Sequence, residues 1–364
     1  MTTCVILAKN SARTIPRAMA NAEHVFKRVL VLDSGSVDST LDLVRENPSA
    51  ELFELEWGHS FAEIRNSAMD LVGDGLLFFL DSDEWIPEDS LNSVHRELGK
   101  LPEDPCLAWS PVVKDAETGY EVRNLPRILW ANGQLQYRYR VHEQLVHGKQ
   151  RVYPKTLDID VLHSGYTEME MVKHQKIDRN LSLLEMDISE RPEDPHPLFY
   201  WMRDGMGRRS VDESFTLVEQ IDALSSASFS TEHSAEPYPL LARKVLLTDA
   251  WLQDGASELT LKLADGILAL EPNDPDGRFV HGMSRLGQVH EQLGELLANL
   301  AKYRQDIDGM PFSWGMSTRP DHLDALIGEL MRELGHWGYK EYLASTSSGW
   351  TDKYFIEATL RGSQ

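Results

Sequence analysis

The stretch Leu76-Leu77-Phe78-Phe79-Leu80-Asp81-Ser82-Asp83-Glu84-Trp85 decides the fold of this chain. Its apolar run, Leu76–Leu80, has the length of a strand that is buried on both faces. The run ends at two carboxylates, Asp81 and Asp83, and open α/β sheets bind ligands at the carboxyl ends of their strands. Neighbouring carboxylates repel each other unless a cation lies between them, and such oxygen ligands suit Mg²⁺ or Mn²⁺. For an isolated Asp-x-Asp, the alternative is an acidic loop that caps the next helix.

Apolar runs of similar length occur on both sides of this strand. Val5–Ala8, Val29–Leu32 and Leu52–Leu55 precede it, and segments with helical spacing separate them. This alternation predicts an α/β fold class with a mostly parallel sheet and helices on both faces. Shorter β segments are expected at Leu107–Val113, Arg127–Trp130, Gln144–Val146 and Thr156–Leu162.

After about residue 168 the strand patterns stop and helical spacing takes over. The predicted helices are Met171–Glu190, Leu198–Gly207, Val211–Leu224, Pro239–Gln253, Leu259–Leu270, Phe279–Leu286 and Glu291–Tyr303. A Pro-x-Asp-Pro-x-x-x-Phe pattern occurs twice, at Pro192–Phe199 and at Pro272–Phe279. Helical-hairpin arrays often begin their helices in this way, although ordinary capping chemistry explains the pattern equally well.

These patterns predict three regions along the chain. Residues 1–168 would form the α/β domain, with a helical extension to about residue 190. Residues 191–345 would form an all-α domain similar to tetratricopeptide repeats, and residues 346–364 a C-terminal tail. The apolar stretch Leu323–Trp337 suits either an end cap of the helical array or the interface of a homodimer.

The amino-acid composition indicates which binding partners and which cellular location are expected for the protein. The chain has 364 residues and a net charge of −22, which disfavours extended contact with nucleic acid. Two cysteines cannot form a disulfide framework, and this fits a reducing cytoplasm. The N-terminus lacks the features of a signal peptide, and no apolar run is long enough to span a membrane. Cys4 is expected to be a small buried residue in the first strand.

Three further residues suit the binding of a nucleotide, and the carboxylate of the first, Asp33, can accept a hydrogen bond from a uracil imide or a ribose hydroxyl. Asp33 ends the second predicted strand, and Gly35 permits a tight turn that lets the backbone approach a ligand. Asp-Ser-Gly-Ser is also a common turn without any function. Arg65 lies on the helix before the Asp81 strand and suits bidentate phosphate contact, unless it is an ordinary surface residue of that helix.

In combination, these residues resemble glycosyltransferase family 2, whose members have the GT-A fold and invert the anomeric carbon. The resemblance covers roughly residues 3–185 and is closest to a subgroup with helical repeats after the catalytic domain. That subgroup includes bacteriocin S-glycosyltransferases and lipopolysaccharide-core enzymes. The matching segments are Val5–Asn10, Leu32–Thr40, Ala62–Asn66, Leu80–Trp85, Arg140–Leu145 and Leu162–Tyr166.

The resemblance implies a role for each matching residue. Asp83 would bind the metal most directly, and Asp81 and His163 would complete the site with Mn²⁺ or Mg²⁺. Glu143 would be the base that deprotonates the acceptor, with His142 beside it, although Asp115 or Glu117 could compete for this role. The residues assigned to the nucleotide-sugar donor are Lys9, Asn10, Asp33, Gly35, Asp38, Arg65, Asp81 and Ser82.

The predicted function is therefore metal-dependent inverting transfer of a sugar from a nucleotide-sugar, UDP-linked by preference. A peptide or protein side chain is the first choice of acceptor, because helical arrays bind extended peptides. A carbohydrate or lipid-linked glycan is the second. A nucleotidyltransferase also uses paired carboxylates, but it would need a glycine-rich phosphate loop, and Leu7–Ser11 contains no glycine. A non-catalytic helical scaffold is the remaining alternative.

Overall fold

The computed structural model describes residues 2–164, 170–228, 237–306 and 321–346. The chain divides into two compact units, Met1–Leu246 and Leu247–Gln364. The change from strands to helices falls between residues 163 and 170, as predicted. The predicted tail lies outside the described residues beyond Thr346, as do Gly165 and Tyr166 of the last matching segment. The predicted domain bounds remain predictions.

The first unit begins with alternating strands and helices. Each predicted strand is present, and four short strands (β5, β7, β9 and β11) had no recognisable pattern. The elements are β1 (Thr2–Ala8), α1 (Ile15–Val25), β2 (Arg28–Asp33), α2 (Thr40–Arg45), β3 (Ala50–Glu54), α3 (Phe61–Val72), β4 (Gly75–Asp81), β5 (Glu84–Trp85), α4 (Leu91–Leu98), β6 (Ala108–Asp115), β7 (Glu121–Val122), β8 (Ile128–Ala131), β9 (Leu135–Arg138), β10 (Gln144–His147), β11 (Gln150–Arg151) and β12 (Lys155–His163).

In the described residues, the main sheet has the strand order β3-β2-β1-β4-β8-β6-β12-β5, with β7 paired to β6. Pairing is parallel from β3 to β4 and between β6 and β12. Strand β8 is antiparallel to both of its neighbours, and β5 is antiparallel to β12. The sheet is therefore mixed, and its parallel half carries Asp33 and Asp81, two of the residues predicted to bind the nucleotide-sugar. Strands β9, β10 and β11 form a separate small sheet.

Strand β4 is buried on both faces. Phe78 packs into one hydrophobic core together with Ile15 of α1, and Phe79 packs into the opposite core together with Ile64 of α3. Burying a side chain of this size contributes about 1.5–3 kcal/mol, so β4 is firmly anchored. Its carboxyl end therefore presents Asp81 from a rigid position. Cys4 of β1 is fully buried as expected, and burial, aided by the charge of Glu84, raises the pKa of its thiol.

The rest of the described chain is helical. The helices are α5 (Glu170–Glu190), α6 (Pro195–Asp204), α7 (Val211–Ser228), α8 (Tyr238–Asp254), α9 (Glu258–Leu270), α10 (Pro275–Asp306), α11 (Asp321–Glu333) and α12 (Tyr339–Thr346). The two helices predicted within residues 279–303 are in fact one, α10. No proline interrupts the region between them, and a single glycine costs a helix only about 1 kcal/mol. None of the helices described is long and apolar enough to cross a membrane.

The repeated Pro-x-Asp-Pro pattern marks a helix start in both places. Asp194 accepts a hydrogen bond from the His196 amide at 3.0 Å, at the start of α6. Asp274 accepts one from the Gly277 amide at 2.8 Å, at the start of α10. The capping chemistry is thus confirmed, whereas kinship to tetratricopeptide repeats stays a prediction.

The apolar stretch near the end of the described chain packs within the second unit. Leu323 and Ile327 of α11 are buried against Leu297 and Leu300 of α10. Trp337, just after α11, is 86% exposed. The packing of α11 on α10 supports an end cap of the helical array, while the predicted homodimer remains a prediction.

Candidate active site

A cavity of about 700 Å³ lies at the carboxyl ends of the parallel strands. Ala8 at the end of β1, Ser34 just after β2 and Asp81 at the end of β4 form its floor. Phe61 and Arg65 of α3 line another wall. The remaining walls come from residues 124–127, from residues 141–145 before and within β10, from residues 151–154, and from helices α5 and α6.

The cavity is strongly cationic. Its acidic side chains are Asp81 and Glu143. Its cationic side chains are Lys9, Arg65, Arg127, Arg151, Arg179 and Arg203. The protein as a whole carries a net charge of −22, so this local excess of positive charge runs against the average surface. A cleft lined by one sign of charge attracts ligands of the opposite sign. The cavity therefore suits an anionic ligand.

Asp81 is held by an arginine that the sequence analysis did not single out. Arg127 donates two hydrogen bonds to the Asp81 carboxylate, at 2.9 and 2.6 Å. The same guanidinium contacts Glu84 at 3.2 Å, and Glu84 accepts a hydrogen bond from the Asp81 amide at 2.8 Å. Arg127 and Glu84 are both buried, with 8% and 3% of their side chains exposed. Asp81, Glu84 and Arg127 thus form one compact charged network beneath the cavity.

The network shifts the two carboxyl groups in opposite directions. Burial opposes ionisation of Asp81, but the charge and hydrogen bonds of Arg127 outweigh it and hold the pKa of Asp81 well below its usual range. Burial raises the pKa of Glu84 to about 7, against the opposing charge of Arg127. Asp81 is consequently an ionised partner of Arg127, which donates one hydrogen bond to each of its oxygens.

Arg65 connects this network to the predicted base. Its Nε donates to Glu143 at 3.0 Å, and its Nη2 lies 3.6 Å from Asp81. Its remaining nitrogen, Nη1, is buried and has no hydrogen-bond partner among the described residues. Buried donors of this kind are rarely left unsatisfied in proteins, so Nη1 fits an acceptor oxygen of a ligand. The predicted positions of Arg65 on the donor side and of Glu143 in the cavity are consistent with this arrangement.

The predicted metal ligands separate into a pair and a third residue. His163, at the end of β12, places Nε2 3.0 Å from the Asp83 carboxylate. This hydrogen bond, against the opposing effect of burial, raises the pKa of His163. In the part of the chain that the structure describes, no group of three or more His, Cys, Asp or Glu side chains is arranged to hold a metal. Asp83 and His163 fit two positions of a metal site, whereas Asp81 is directed to Arg127.

The other residues assigned to the donor stabilise the loops at this edge of the sheet. Asp33 is buried and accepts hydrogen bonds from the amides of Gly35 and Ser36 at 2.9 and 2.8 Å. Asn10 accepts one from the Val37 amide at 2.8 Å, which ties the loop after β1 to the loop after β2.

Asp38 and Ser82 strengthen the same connection. Asp38 accepts a hydrogen bond from the Ala12 amide at 3.1 Å, and the Ser82 hydroxyl lies 2.7 Å from that of Ser11. Lys9 differs from these residues, because its ammonium lies 4.8 Å from the centre of the Trp57 ring on the cavity wall.

His142 lies beside Glu143 in the cavity, and helix α6 contacts it closely. Its Nε2 is 2.6 Å from Asp204, and its ring stacks on Tyr200 with 4.4 Å between ring centres. Burial opposes ionisation of Asp204, but the hydrogen bond with His142 and the charge of Arg203 lower the pKa of Asp204 to about 2. Asp204 is therefore a carboxylate at neutral pH.

Three further side chains have partners of their own and do not line the cavity. Asp115, the alternative base, accepts a hydrogen bond from the Thr118 amide at 2.7 Å within its own turn. Trp85 stacks on Arg17, with the guanidinium carbon 3.6 Å from the ring centre. Trp130 donates to the Pro102 carbonyl at 2.9 Å. The tryptophan on the cavity wall is Trp57, which no motif indicated.

Comparison with known proteins shows a similarity in the first part of the chain. Residues 3–161 match the model of the family described as Glycosyl transferase family 2. This part of the chain is therefore similar to glycosyltransferase family 2. It is 26% identical over 207 residues to the SPbeta prophage-derived glycosyltransferase SunS of Bacillus subtilis, covering 56% of this chain and 48% of that protein. The glycosyltransferase SunS of Bacillus phage SPbeta matches to the same extent.

Two further similarities are more distant. A TPR repeat-containing protein of Synechococcus elongatus is 24% identical over 208 residues, covering 53% of this chain and 49% of that protein. The crystal structure of residues 1–349 of S. aureus TarS superposes with a TM-score of 0.35 at 13% identity, covering 79% of this chain and 91% of that one. The chain spans about half the length of the sequence relatives that it matches.

Proposed function

We propose that this protein is an inverting glycosyltransferase that binds a nucleotide-sugar, UDP-linked by preference, in the cationic cavity. The observation that carries the proposal is the lining of this cavity, at the carboxyl ends of β1, β2 and β4, by six cationic and two acidic side chains in a chain of net charge −22. A diphosphate is the anionic part of a nucleotide-sugar, and the family 2 domain supplies the reaction class.

The donor diphosphate would lie near Arg65 and Lys9. The unpaired Nη1 of Arg65 is a donor for a phosphate oxygen, and Lys9 adds a second positive charge at the end of β1. Trp57, beneath Lys9, provides an apolar surface for the base or the sugar. Arg127 would act indirectly, because its guanidinium fixes Asp81 at the cavity floor.

Asp83 and His163 are the residues that would hold Mn²⁺ or Mg²⁺, with the diphosphate supplying further oxygens. The chemistry supplied at this position would be neutralisation of the charge that develops on the departing diphosphate. Imidazole suits Mn²⁺ better than Mg²⁺. Asp81, which was predicted as a third ligand, would instead support the site through Arg127.

Glu143 would take the proton of the acceptor. Inversion is a single displacement, so one base must lie on the side opposite to the leaving group. Glu143 is 17% exposed, lines the cavity and pairs with Arg65 at 3.0 Å. His142 would contact the acceptor or orient Glu143.

A peptide or protein side chain remains the first choice of acceptor and a glycan the second, with the helical region as the acceptor platform. A cytoplasmic location stays a prediction from cysteine content.

Binding of the donor can be tested by thermal unfolding with UDP, GDP and CMP and their common sugar conjugates, each with and without Mn²⁺. A ligand at a hundred times its dissociation constant adds about 2.7 kcal/mol of stability. We expect a shift with UDP and its conjugates that increases with Mn²⁺, and release of UDP from the preferred conjugate. If no nucleotide stabilises the protein, the proposed function is wrong and the scaffold alternative gains support.

A further inference from the structure

The segment that carries the two candidate catalytic residues, Tyr139–Gln144, is held in place by the helices that follow the sheet. The Tyr139 hydroxyl donates to Asp194 at 2.7 Å, at the start of α6. The Arg140 amide donates to Asp187 of α5 at 2.8 Å, and the Arg140 guanidinium binds the same carboxylate at 3.0 Å. The position of this segment therefore depends on α5 and α6 as well as on the sheet.

His142 is the residue on which these contacts converge. Asp204 binds its Nε2 at 2.6 Å, and Arg203 places Nη2 within 3.1–3.2 Å of both ring nitrogens. Tyr200 stacks on its ring with an interplanar angle of 15°. His196 contacts its backbone carbonyl at 3.1 Å. All four of these residues lie on α6, so one helix determines where the imidazole is.

The backbone conformation of His142 also indicates that its surroundings hold this residue in place. Its φ is 54°, in the left-handed region that residues other than glycine seldom adopt. Such residues persist where the surroundings hold them, and they cluster at functional sites. An imidazole with one nitrogen bound to a carboxylate is also the arrangement by which a third group orients a catalytic side chain.

The contacts come from outside the family domain. Residues 3–161 match the family model, whereas α6 begins at Pro195. Arg203 and Tyr200 nevertheless line the cavity together with His142 and Glu143. The family domain thus does not contain the whole cavity.

We propose that Asp204 and Arg203 of α6 are positioning residues that hold the His142 imidazole beside Glu143, so that α6 is part of the catalytic site. The inference rests on the proposed glycosyl transfer and specifies which part of the helical region that reaction needs. Asp204 binds the ring through Nε2, and Arg203 in turn pairs with Asp204 at 2.7 Å.

The activity test uses four variants of the full chain. D204N keeps the shape of the side chain and removes its charge, and H142Q removes the imidazole. The double variant, D204N with H142Q, completes a double-mutant cycle that measures whether the two residues act together. D222N is the matched control, because Asp222 pairs with Arg243 at 2.6 Å in α7 and α8, and neither residue lines the cavity. The measurement is the release of UDP from UDP-glucose, UDP-galactose and UDP-N-acetylglucosamine, with water as the acceptor, together with the dissociation constant for UDP.

D204N should lower kcat by about 10- to 100-fold, as misplacement of a catalytic group by about 1 Å does. The dissociation constant for UDP should stay within about twofold, because His142 serves the acceptor side. In the H142Q background, D204N should cause almost no further loss. Equal activity of D204N and D222N, or independent losses from D204N and H142Q, would overturn the inference. If H142Q loses activity and D204N does not, the inference fails while the proposed function stands.

A second measurement does not depend on activity. In the long-range ¹H–¹⁵N spectrum of ¹⁵N-histidine-labelled protein, the signal that disappears in H142Q identifies His142. D204N should shift this signal and D222N should not. If the protein releases UDP from none of the three donors, the proposed function fails for them, and this spectrum still decides whether Asp204 positions His142. An unchanged His142 signal in D204N would contradict the inference.

Discussion

Arg127 and Asp81 form a bidentate ion pair at the end of the central strand, with nitrogen–oxygen distances of 2.9 and 2.6 Å. Glu84, 3% exposed, shares the same guanidinium. One arginine therefore compensates two carboxylates beneath the cavity. Within the Asp-x-Asp motif, Asp81 therefore pairs with Arg127, whereas the Asp83 carboxylate lies 3.0 Å from His163.

Loss of Arg127 should strongly destabilise the first unit. R127M leaves the buried Glu84 without its cation and Asp81 with only Arg65, 3.6 Å away, and removing one partner of a buried pair costs about 3–5 kcal/mol. Urea unfolding measures the change. R123M is the control, because Arg123 is 59% exposed and its pair with Glu121 contributes at most about 1 kcal/mol. Equal losses in the two variants would show that the Arg127 network does not stabilise the fold.

Mn²⁺ binding should depend on Asp83 and His163. In the presence of UDP, D83N and H163A should each weaken Mn²⁺ binding by at least about tenfold, since even outer-shell partners contribute that much. Electron paramagnetic resonance of free Mn²⁺ measures the change, and D89N, at an exposed acid nearby, should behave like the unmodified protein. D81N should lower stability more than metal binding, because Asp81 pairs with Arg127. Normal Mn²⁺ affinity in D83N would remove the metal site from this position.

Glu143 should affect turnover far more than donor binding. A positioned base contributes about 10²- to 10⁴-fold, so E143Q should lower kcat by that factor and leave the dissociation constant for UDP nearly unchanged. Steady-state release of UDP and calorimetric titration measure the two quantities. The competing assignment is tested by D115N, which should retain activity because Asp115 caps its own turn. A larger loss in D115N than in E143Q would reverse the assignment.

Lys9 should contribute directly to the affinity for the donor. A hydrogen bond to a charged group contributes about 1.5–3 kcal/mol. Because Lys9 is exposed, we expect a contribution at the lower end of this range. K9M should therefore weaken UDP binding by about tenfold. Calorimetry with UDP measures this change. K100M removes a surface lysine, paired with Glu97, from a different part of the domain and should leave the affinity unchanged. Equal affinities of K9M and K100M would place the diphosphate elsewhere.

His196 should make the protein less stable in mild acid. Its Nε2 donates to the His142 carbonyl, and its Nδ1 lies 2.8 Å from the Gln144 amide nitrogen, so both ring nitrogens are used in the neutral form. Burial, with the charge of Arg151, lowers the pKa of His196 well below its usual value. The unfolded chain therefore binds a proton near pH 6.5 that the folded chain does not bind.

Stability should consequently fall as the pH drops below about 6.5, by up to about 1.4 kcal/mol per pH unit for this one group. H196Q should show a smaller loss between pH 7 and pH 5 than the unmodified protein, while above pH 7 the two slopes should agree. Urea unfolding at several pH values measures both. Identical slopes below pH 6.5 would show that His196 is protonated in the folded state.

Much of the fold was predictable from local patterns. The runs Val5–Ala8 and Leu76–Leu80 are strands at the predicted positions, because a strand buried on both faces must be apolar along its whole length. The position of Asp81 at the carboxyl edge followed from the same argument. The division between sheet and helices was equally visible, because the hydrophobic period changes there.

The partners of the site residues were not predictable, because they depend on which distant segments meet. Arg127 is 46 positions from Asp81, and the pairing of β8 with β4 brings them together. Asp204 is 62 positions from His142 and reaches it because α6 packs on the segment before β10. The spacing of apolar residues along the chain indicates whether a residue is buried, but it does not indicate which distant residue it contacts. The sequence alone thus determined the strands, the family resemblance and the edge of the sheet that carries the site, whereas only the tertiary structure decided that Asp81 pairs with Arg127 and that His142 is held by Asp204.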